Sequence, residues 1–237
     1  MSGFTPLPGT AARRRLYLIR HGHVAYYDAD GRPLNPKLAV LTERGRDEAR
    51  AAGALLAGVP LDRILCSGLA RTRQTAEIVA AGRGLAVEED PAFLEIRGGR
   101  LASVPREQRE TAYVYGFEGV EEGGRFAGGD AFSEVRDRVV AGIERLVLEP
   151  GWTHLALVAH DGVNRFLLSW ACGAGLTGLS AFEQDYGCVN ILDVDVVDGR
   201  IRRRLIRAAN LTPANPVKRD LYQTSLEVAF GPLLALD

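Results

Sequence analysis

Arg20, His21 and His23 stand together in "YLIRHGHVAYY", residues 17–27. Farther along, Cys66, Ser67 and Arg71 lie in "CSGLARTRQTA", and His160, Asp161 and Gly162 lie in "LVAHDGV". Each group follows an apolar run that reads as a buried strand. In an open α/β sheet, groups that act on a ligand gather beyond the carboxyl ends of the strands. These three stretches therefore bring histidines, Arg20 and Arg71 to one edge. The helix that begins at Gly162 adds its N-terminal amides. Arginines beside the N-terminus of a helix make an anion site, and phosphate fits it. Taken singly, His21 could be a strand-end cap and Arg71 a helix-surface arginine. His21-Gly22-His23 with His160 and Asp161 could also form a set of metal ligands. Two arginines beside a dication would repel it, which favours the anion reading.

The elements that must position these groups alternate between strand and helix. Residues 15–20 read as a strand after a flexible lead-in over residues 1–12. "LTERGRDEARAAGALLAG" is a helix with Thr42 as N-cap and Gly58 as its stop. "LDRILCS" is a short strand, "GLARTRQTAEIVAAG" a helix ending at Gly82, and "GLAVEED" an edge strand. Residues 97–130 break the rhythm. They are rich in Gly, Glu and Arg, with Tyr113, Tyr115, Phe117 and Phe126 among them, and read as a partly helical, cap-like insert. Phe132, Val135, Val139, Ile143 and Leu146 then fall on one helical face. "HLALVAH" is a strand and "GVNRFLLSWACG" a core helix. Asp198-Gly199 is a hairpin signal between two alternating runs. A C-terminal extension begins near residue 210, with a helix after Thr224. The alternation predicts one α/β domain with a mostly parallel sheet, made mixed by the hairpin.

Composition narrows the partners. The 237 residues are 46% hydrophobic and 25% charged with a net charge of -1, so nothing favours nucleic acid or a membrane surface. Arg13-Arg14-Arg15 and Arg202-Arg203-Arg204 read mainly as solvated strand ends. The three cysteines are widely spaced and contain no CxxC, as expected of free thiols in a reducing compartment. The N-terminal stretch has no apolar core before its arginines, so no signal peptide is expected. The longest uncharged run, from Phe166 to Phe182, holds several glycines and is short for a membrane span. A soluble cytoplasmic protein is the expectation.

Three motifs in order, "LIRHG", "CSGLARTRQTA" and "LVAHDGV", resemble the histidine phosphatase superfamily, also called phosphoglycerate mutase-like. "LTERGRDEA" is similar to that family's first helix, and "FLEIRGG" to the segment that carries its acidic residue. The likeness runs from about Leu16 to about Leu192, with the insert poorly matched. It implies a three-layer α/β/α fold. It implies His21 as a nucleophile that forms a phosphohistidine, which water then hydrolyses. Arg20, Arg71 and His160 would surround the phosphoryl oxygens, with His23 and Gly162 in the substrate-binding set. Glu95 would protonate the leaving oxygen and then activate the water. No metal and no other cofactor is implied.

The departures bear on the substrate. His23 stands where many members carry Glu, Gln or Thr, and "HVAYYDADG" lacks the Trp and Asn of the mutases. Asp161 replaces the first glycine of a usual His-Gly-Gly, and Asp130 replaces a usual Glu in "GGDAF". The expectation is a phosphatase-type member acting on a small phosphorylated metabolite. A phosphoglycerate-type mutase is the alternative within the family, and a non-catalytic phosphate-binding module is the alternative of another class. Edge strands or the tail could pair two copies.

Overall fold

The computed structural model describes residues 7–234. Part of the expected lead-in, residues 1–6, lies outside the described residues. The rest is not irregular, because Pro8–Ala11 form a one-turn helix (α1). Pro8 opens it, where its missing N–H costs nothing.

The first strand, β1 (Arg13–Arg20), is longer than expected and buried from Leu16 to its end. Leu16 and Leu18 pack on one side of the sheet and Tyr17 and Ile19 on the other. Burial on both faces is why the run is continuously apolar. After α2 (Glu43–Leu55), β2 (Arg63–Cys66), α3 (Ala70–Ala80) and β3 (Val87–Glu89), the chain enters the segment expected as an insert. It resumes with α4 (Phe132–Leu148), β4 (His154–Ala159), α5 (Asp161–Cys172) and the hairpin β5 (Val189–Val197) and β6 (Arg200–Leu211), then ends in α6 (Ser225–Leu234).

The six strands form one mixed sheet in the order β3-β2-β4-β1-β5-β6. β4 runs parallel to both β1 and β2, whereas β5 is antiparallel to β1. One layer packs Ala52 of α2 and Ala76 and Val79 of α3 on the sheet. The opposite layer packs Val135, Val139 and Ile143 of α4 and Val163 and Leu167 of α5. All five residues of the expected α4 stripe are buried. Thr42 caps α2, its Oγ1 accepting from the Gly45 amide at 3.1 Å. Asp198 and Gly199 carry φ of 52° and 69°, the left-handed pair a two-residue hairpin requires.

The arginine clusters are not mere solvated strand ends. Asp193 and Asp195 of β5 are buried, and each takes cations from both neighbouring strands. Arg15 and Arg207 donate to Asp193 at 2.6 and 2.7 Å, and Arg13 and Arg203 to Asp195 at 2.7 Å each. A buried carboxylate needs such partners to stay charged.

Residues 97–130 turn rather than form regular helices. They hold short 3-10 turns and one wide turn over Glu110–Val114. Tyr113, Phe117 and Phe126 point inward, with Phe117 and Phe126 stacked at 5.4 Å between centroids, while Tyr115 is exposed. Glycines and isolated rings provide no 3.6-residue stripe, so packing rather than periodicity organises this stretch. Among the described residues no helix is long and apolar enough to cross a membrane.

Candidate active site

Sheet register sets the site. Arg20 pairs with Ala159, and Cys66 with Val158. His21 and His160 therefore emerge level with each other, and Ser67 one residue behind them. The His21 and His160 rings meet edge to face, with centroids 5.3 Å apart.

His21 is buried, and its Nδ1 lies 2.8 Å from its neighbour's carbonyl, Gly22 O. A carbonyl only accepts, so Nδ1 carries the hydrogen and Nε2 keeps its lone pair. Arg71 Nε donates to that Nε2 at 3.1 Å. Burial pushes the His21 pKa well below its usual value, and Arg71, His160 and Arg20 add to the effect. A neutral imidazole held in one tautomer, whose unprotonated nitrogen accepts from a cation, can attack an electrophile once that cation turns to the electrophile's negative oxygens.

Gly22 is required by the close approach of α2. A Cβ there would sit 2.1 Å from Gly45 O, and a Cβ on Gly45 would sit 2.1 Å from His23 O. Backbone meets backbone, so nothing can yield cheaply. Gly22→Ala is expected to destabilise the fold by about 3 kcal/mol or more, the upper range for overpacking. Urea unfolding would check it, and a loss below about 1 kcal/mol would mean that the loop relaxes freely.

Arg20 is clamped from three sides. Its guanidinium lies 3.8 Å from the Tyr186 ring centroid, Nη1 donates to Gln184 O, and Asp161 Oδ2 is 3.4 Å away. Its Nε is buried without a hydrogen-bond partner. Arg71 Nη1 donates to Pro36 O at 2.7 Å. His160 heads a chain of hydroxyls. Thr72 Oγ1 donates to Leu69 O at 2.8 Å, Ser67 Oγ is 3.0 Å from Thr72 Oγ1, and His160 Nε2 is 2.8 Å from Ser67 Oγ. With Thr72's hydrogen on a carbonyl, Ser67 donates to Thr72 and His160 Nε2–H donates to Ser67. His160 Nδ1 is then an acceptor, buried and without a partner. Burial holds the His160 pKa well below its usual value, assisted by Arg71 and Arg20.

Glu95 reaches the same place from the segment after Phe93. Its carboxylate accepts from the Ile96 amide at 3.0 Å and from the Gly162 amide at 3.3 Å. Enclosure pushes its pKa up to about 7, with the charge of Asp161 adding to the effect. Gly162 thus presents its amide to Glu95. A Cβ at Gly162 would stand 2.8 Å from Glu95 Oε1 and from the Ile96 side chain.

His23 is held from α2. Its Nδ1 lies 2.9 Å from Thr42 Oγ1 and its amide donates to Glu48 at 2.7 Å, while its ring meets Tyr186 at 5.1 Å between centroids; like His21 and His160, it is absent from the cavity wall. Asp161 is occupied by Arg165 Nε at 2.5 Å, by Arg20 and by Ser225 Oγ. The set His21, His23, His160 and Asp161 therefore does not converge as metal ligands. Among the described residues no group of three His, Cys, Asp or Glu side chains could hold a metal ion. Asp130 is held by Arg97 at 3.0 Å, Arg73 pairs with Glu89, Glu88 with Arg63, and Asp90 with Arg145.

Several partners were not foreseeable from motifs. Gln184 and Tyr186, which hold Arg20, lie in an irregular loop before β5. Arg138 of α4 donates to Ala92 O at 2.6 Å and Leu94 O at 2.9 Å, so it braces the segment that carries Glu95. Ser225 anchors the first turn of α6, its amide donating to Glu183 at 2.8 Å. An arginine on the polar side of an amphipathic helix was the only signal, and a weak one.

A cavity of about 1180 Å³ opens over Arg20, Arg71, Glu95, Asp161 and Gly162. Its farther walls come from the loop after β1, from residues 97–130 and from α6.

Residues 16–206 match the family model described as histidine phosphatase superfamily (branch 1). The chain is 28% identical over 188 residues to the adenosylcobalamin/alpha-ribazole phosphatase of Escherichia coli (strain K12), covering 76% of this chain and 90% of that protein. It is 28% identical over 220 residues to the 2-carboxy-D-arabinitol-1-phosphatase of Triticum aestivum, covering 91% of this chain but only 44% of the wheat protein. The crystal structure of the alpha-ribazole phosphatase from Shigella flexneri superimposes with a TM-score of 0.66 at 26% identity, over 83% of this chain and 96% of that one. The family match takes in the strand ends that carry Arg20, His21, Ser67, Arg71 and His160, together with Glu95, and on that extent the chain belongs to the histidine phosphatase superfamily, branch 1.

Proposed function

We propose that the protein is a phosphomonoester hydrolase that works through a phosphohistidine on His21. The observation that carries this reading is the His21 ring, held by Gly22 O so that Nε2 keeps its lone pair beside Arg71. The named relatives are phosphatases, in keeping with it.

In this account the phosphoryl group enters over His21 and takes the N–H groups of Arg71 and Arg20, including the buried Arg20 Nε. A protonated phosphate oxygen, or a proton taken up on binding, satisfies His160 Nδ1. His21 Nε2 attacks phosphorus in line as the bond to the leaving oxygen breaks. Glu95, protonated at or below about pH 7, gives its proton to that oxygen. The carboxylate so formed takes a proton from water, and the resulting hydroxide attacks the phosphohistidine. Phosphate leaves, and His21 and Glu95 regain their starting states. Charge on the transferring group is met by Arg20 and Arg71, so no metal enters the cycle.

Hydrolysis is therefore expected to survive EDTA at millimolar levels within about twofold. A panel of phosphomonoesters assayed with and without EDTA checks this. Loss of activity restored by zinc or manganese would replace the metal-free account. Interconversion of 2- and 3-phosphoglycerate in the same panel would identify a mutase instead.

The single domain works here with residues 97–130 as a cap and the tail from about residue 210 as a second wall, since both line the cavity. The cysteines are unpaired, with Cys66 and Cys188 buried, which suits a reducing cytoplasm.

A further inference from the structure

The cavity is lined by more apolar than charged side chains. The charged groups that face the phosphoryl position, Arg20, Arg71, Glu95 and Asp161, are confined to its floor. Tyr113, Phe117 and Phe126 of the cap and Leu226, Phe230 and Leu233 of α6 line the rest of the cavity, with Asn35, Asp130 and Glu134 as further polar groups. These rings support one another. Phe230 lies 5.1 Å from Tyr113 and 6.0 Å from Phe126 between centroids, and Phe126 stacks on Phe117. α6 is tied to the floor at one end by Ser225 on Asp161, and Tyr27 Oη donates to Ala229 O at 2.9 Å along its length.

Cations that could bind a second anionic group are few. Among the described residues the cavity is lined by Lys37, Arg97 and Arg138 besides the two floor arginines. Arg97 is held by Asp130, and Arg138 by the carbonyls of Ala92 and Leu94. Lys37 sits on an exposed stretch of the loop after β1. The volume, about 1180 Å³, exceeds the usual range of roughly 300–1,000 Å³ for sites that enclose a drug-sized ligand. A phosphate group alone would fill little of it.

Resting on the hydrolase reading, we infer that this chamber binds the leaving alcohol, and that the substrate class is monophosphate esters of large, uncharged, mainly apolar alcohols. A carboxylated alcohol would meet the carboxylates of Asp130 and Glu134, and a polyhydroxylated one would leave most of its hydroxyls against rings and aliphatic carbons, at the cost of their hydration. An alkyl or aryl-alkyl group buries apolar surface on both itself and the wall. The selection falls on the leaving group and not on the phosphoryl end, which the floor treats alike in every ester.

The test uses two homologous series. Ethyl, butyl and hexyl phosphates share one leaving atom, so reactivity is constant while apolar length grows. Each buried methylene contributes about fourfold, so kcat/KM should rise about 10²-fold from ethyl to hexyl phosphate. Glycerol 3-phosphate and 3-phosphoglycerate should fall below butyl phosphate. The matching alkylphosphonates cannot be hydrolysed, and their dissociation constants, read by calorimetry, should fall by a similar factor along the series. Phe230→Ala should lower the hexyl-to-ethyl ratio about threefold or more in both measurements. Flat series in binding and turnover, or a preference for glycerol 3-phosphate over butyl phosphate, would overturn the inference. Length-dependent phosphonate binding without hydrolysis of any ester would uphold the chamber and instead overturn the hydrolase reading.

Discussion

His21→Ala is expected to lower turnover of every phosphomonoester by about 10⁴-fold or more, in the range that removal of a covalent nucleophile costs other hydrolases. The loss should not depend on the leaving group, because the bond to phosphorus cannot form whatever alcohol departs. Arg71, Arg20 and Glu95 would remain, yet a water in place of Nε2 lacks both the lone pair already desolvated beside Arg71 and the position 5.3 Å from the His160 ring that the sheet register fixes. The fold should persist. His21 is buried among polar groups, one of its side-chain hydrogen bonds goes to its own neighbour's carbonyl, and Arg71, which gives it the other, keeps its bond to Pro36 O. The melting temperature should stay within about 5 °C, since a change of 1 kcal/mol moves a domain of this size by roughly 2–4 °C. Steady-state assays with circular dichroism melts give both readings. Near-normal turnover in a folded variant would remove His21 from the chemistry.

Glu95→Gln is the second large effect, and its size should depend on the ester. An alkyl alkoxide leaves poorly unless protonated as the bond breaks, whereas a nitrophenolate needs little help. General acid catalysis contributes about 10²–10⁴-fold, so alkyl phosphates should lose a factor in that range in the phosphorylation step. p-Nitrophenyl phosphate should lose far less in that step. Single-turnover kinetics separate the steps, because the same carboxylate later activates water. The pH profile follows from the raised pKa. Glu95 is protonated below about 7, so kcat/KM on alkyl phosphates should fall as pH rises through that value, and Glu95→Gln should lack this limb. Stability moves with the same proton. The folded state holds it above the ordinary carboxyl value, so this group's contribution is present at low pH and is lost as pH rises through about 7. The Gln variant should therefore become more stable relative to the parent over that interval. Equal, small losses on both substrates would transfer the acid role to another group. Asp161 and Asp130 are poor candidates, since burial alone would raise both but arginine partners hold both below the usual carboxylate range.

Much of the floor was legible because it follows strand ends. "LYLIR", "RILCS" and "LALVAH" each end a buried strand, and the crossover rule for α/β sheets assembles what comes next. Thr42 as a cap and Asp198-Gly199 as a turn were legible for a different reason, since each acts within a few residues of itself. Contacts across the sheet order were hidden. Nothing local says that β5 lies beside β1, so the arginines at 13 and 15 looked solvated although Asp195 and Asp193 lie under them. That His23 turns to the Thr42 hydroxyl was not readable from the H-x-H pattern, because its partner opens the next helix. The chamber was the least legible part. Its walls are rings spaced by turns and a helix more than a hundred residues away, and no period links Phe117 to Phe230.

Rapid-quench reaction with ³²P-labelled hexyl phosphate, followed by peptide mapping, tests the covalent bond between His21 Nε2 and phosphorus most directly. Acid-labile, base-stable label on the peptide that carries His21, formed at a rate at least equal to turnover and missing in His21→Ala, is the predicted result. Full turnover with no label on protein at any time, and inversion of configuration at a chiral phosphorus, would mean that water attacks directly and would contradict the account.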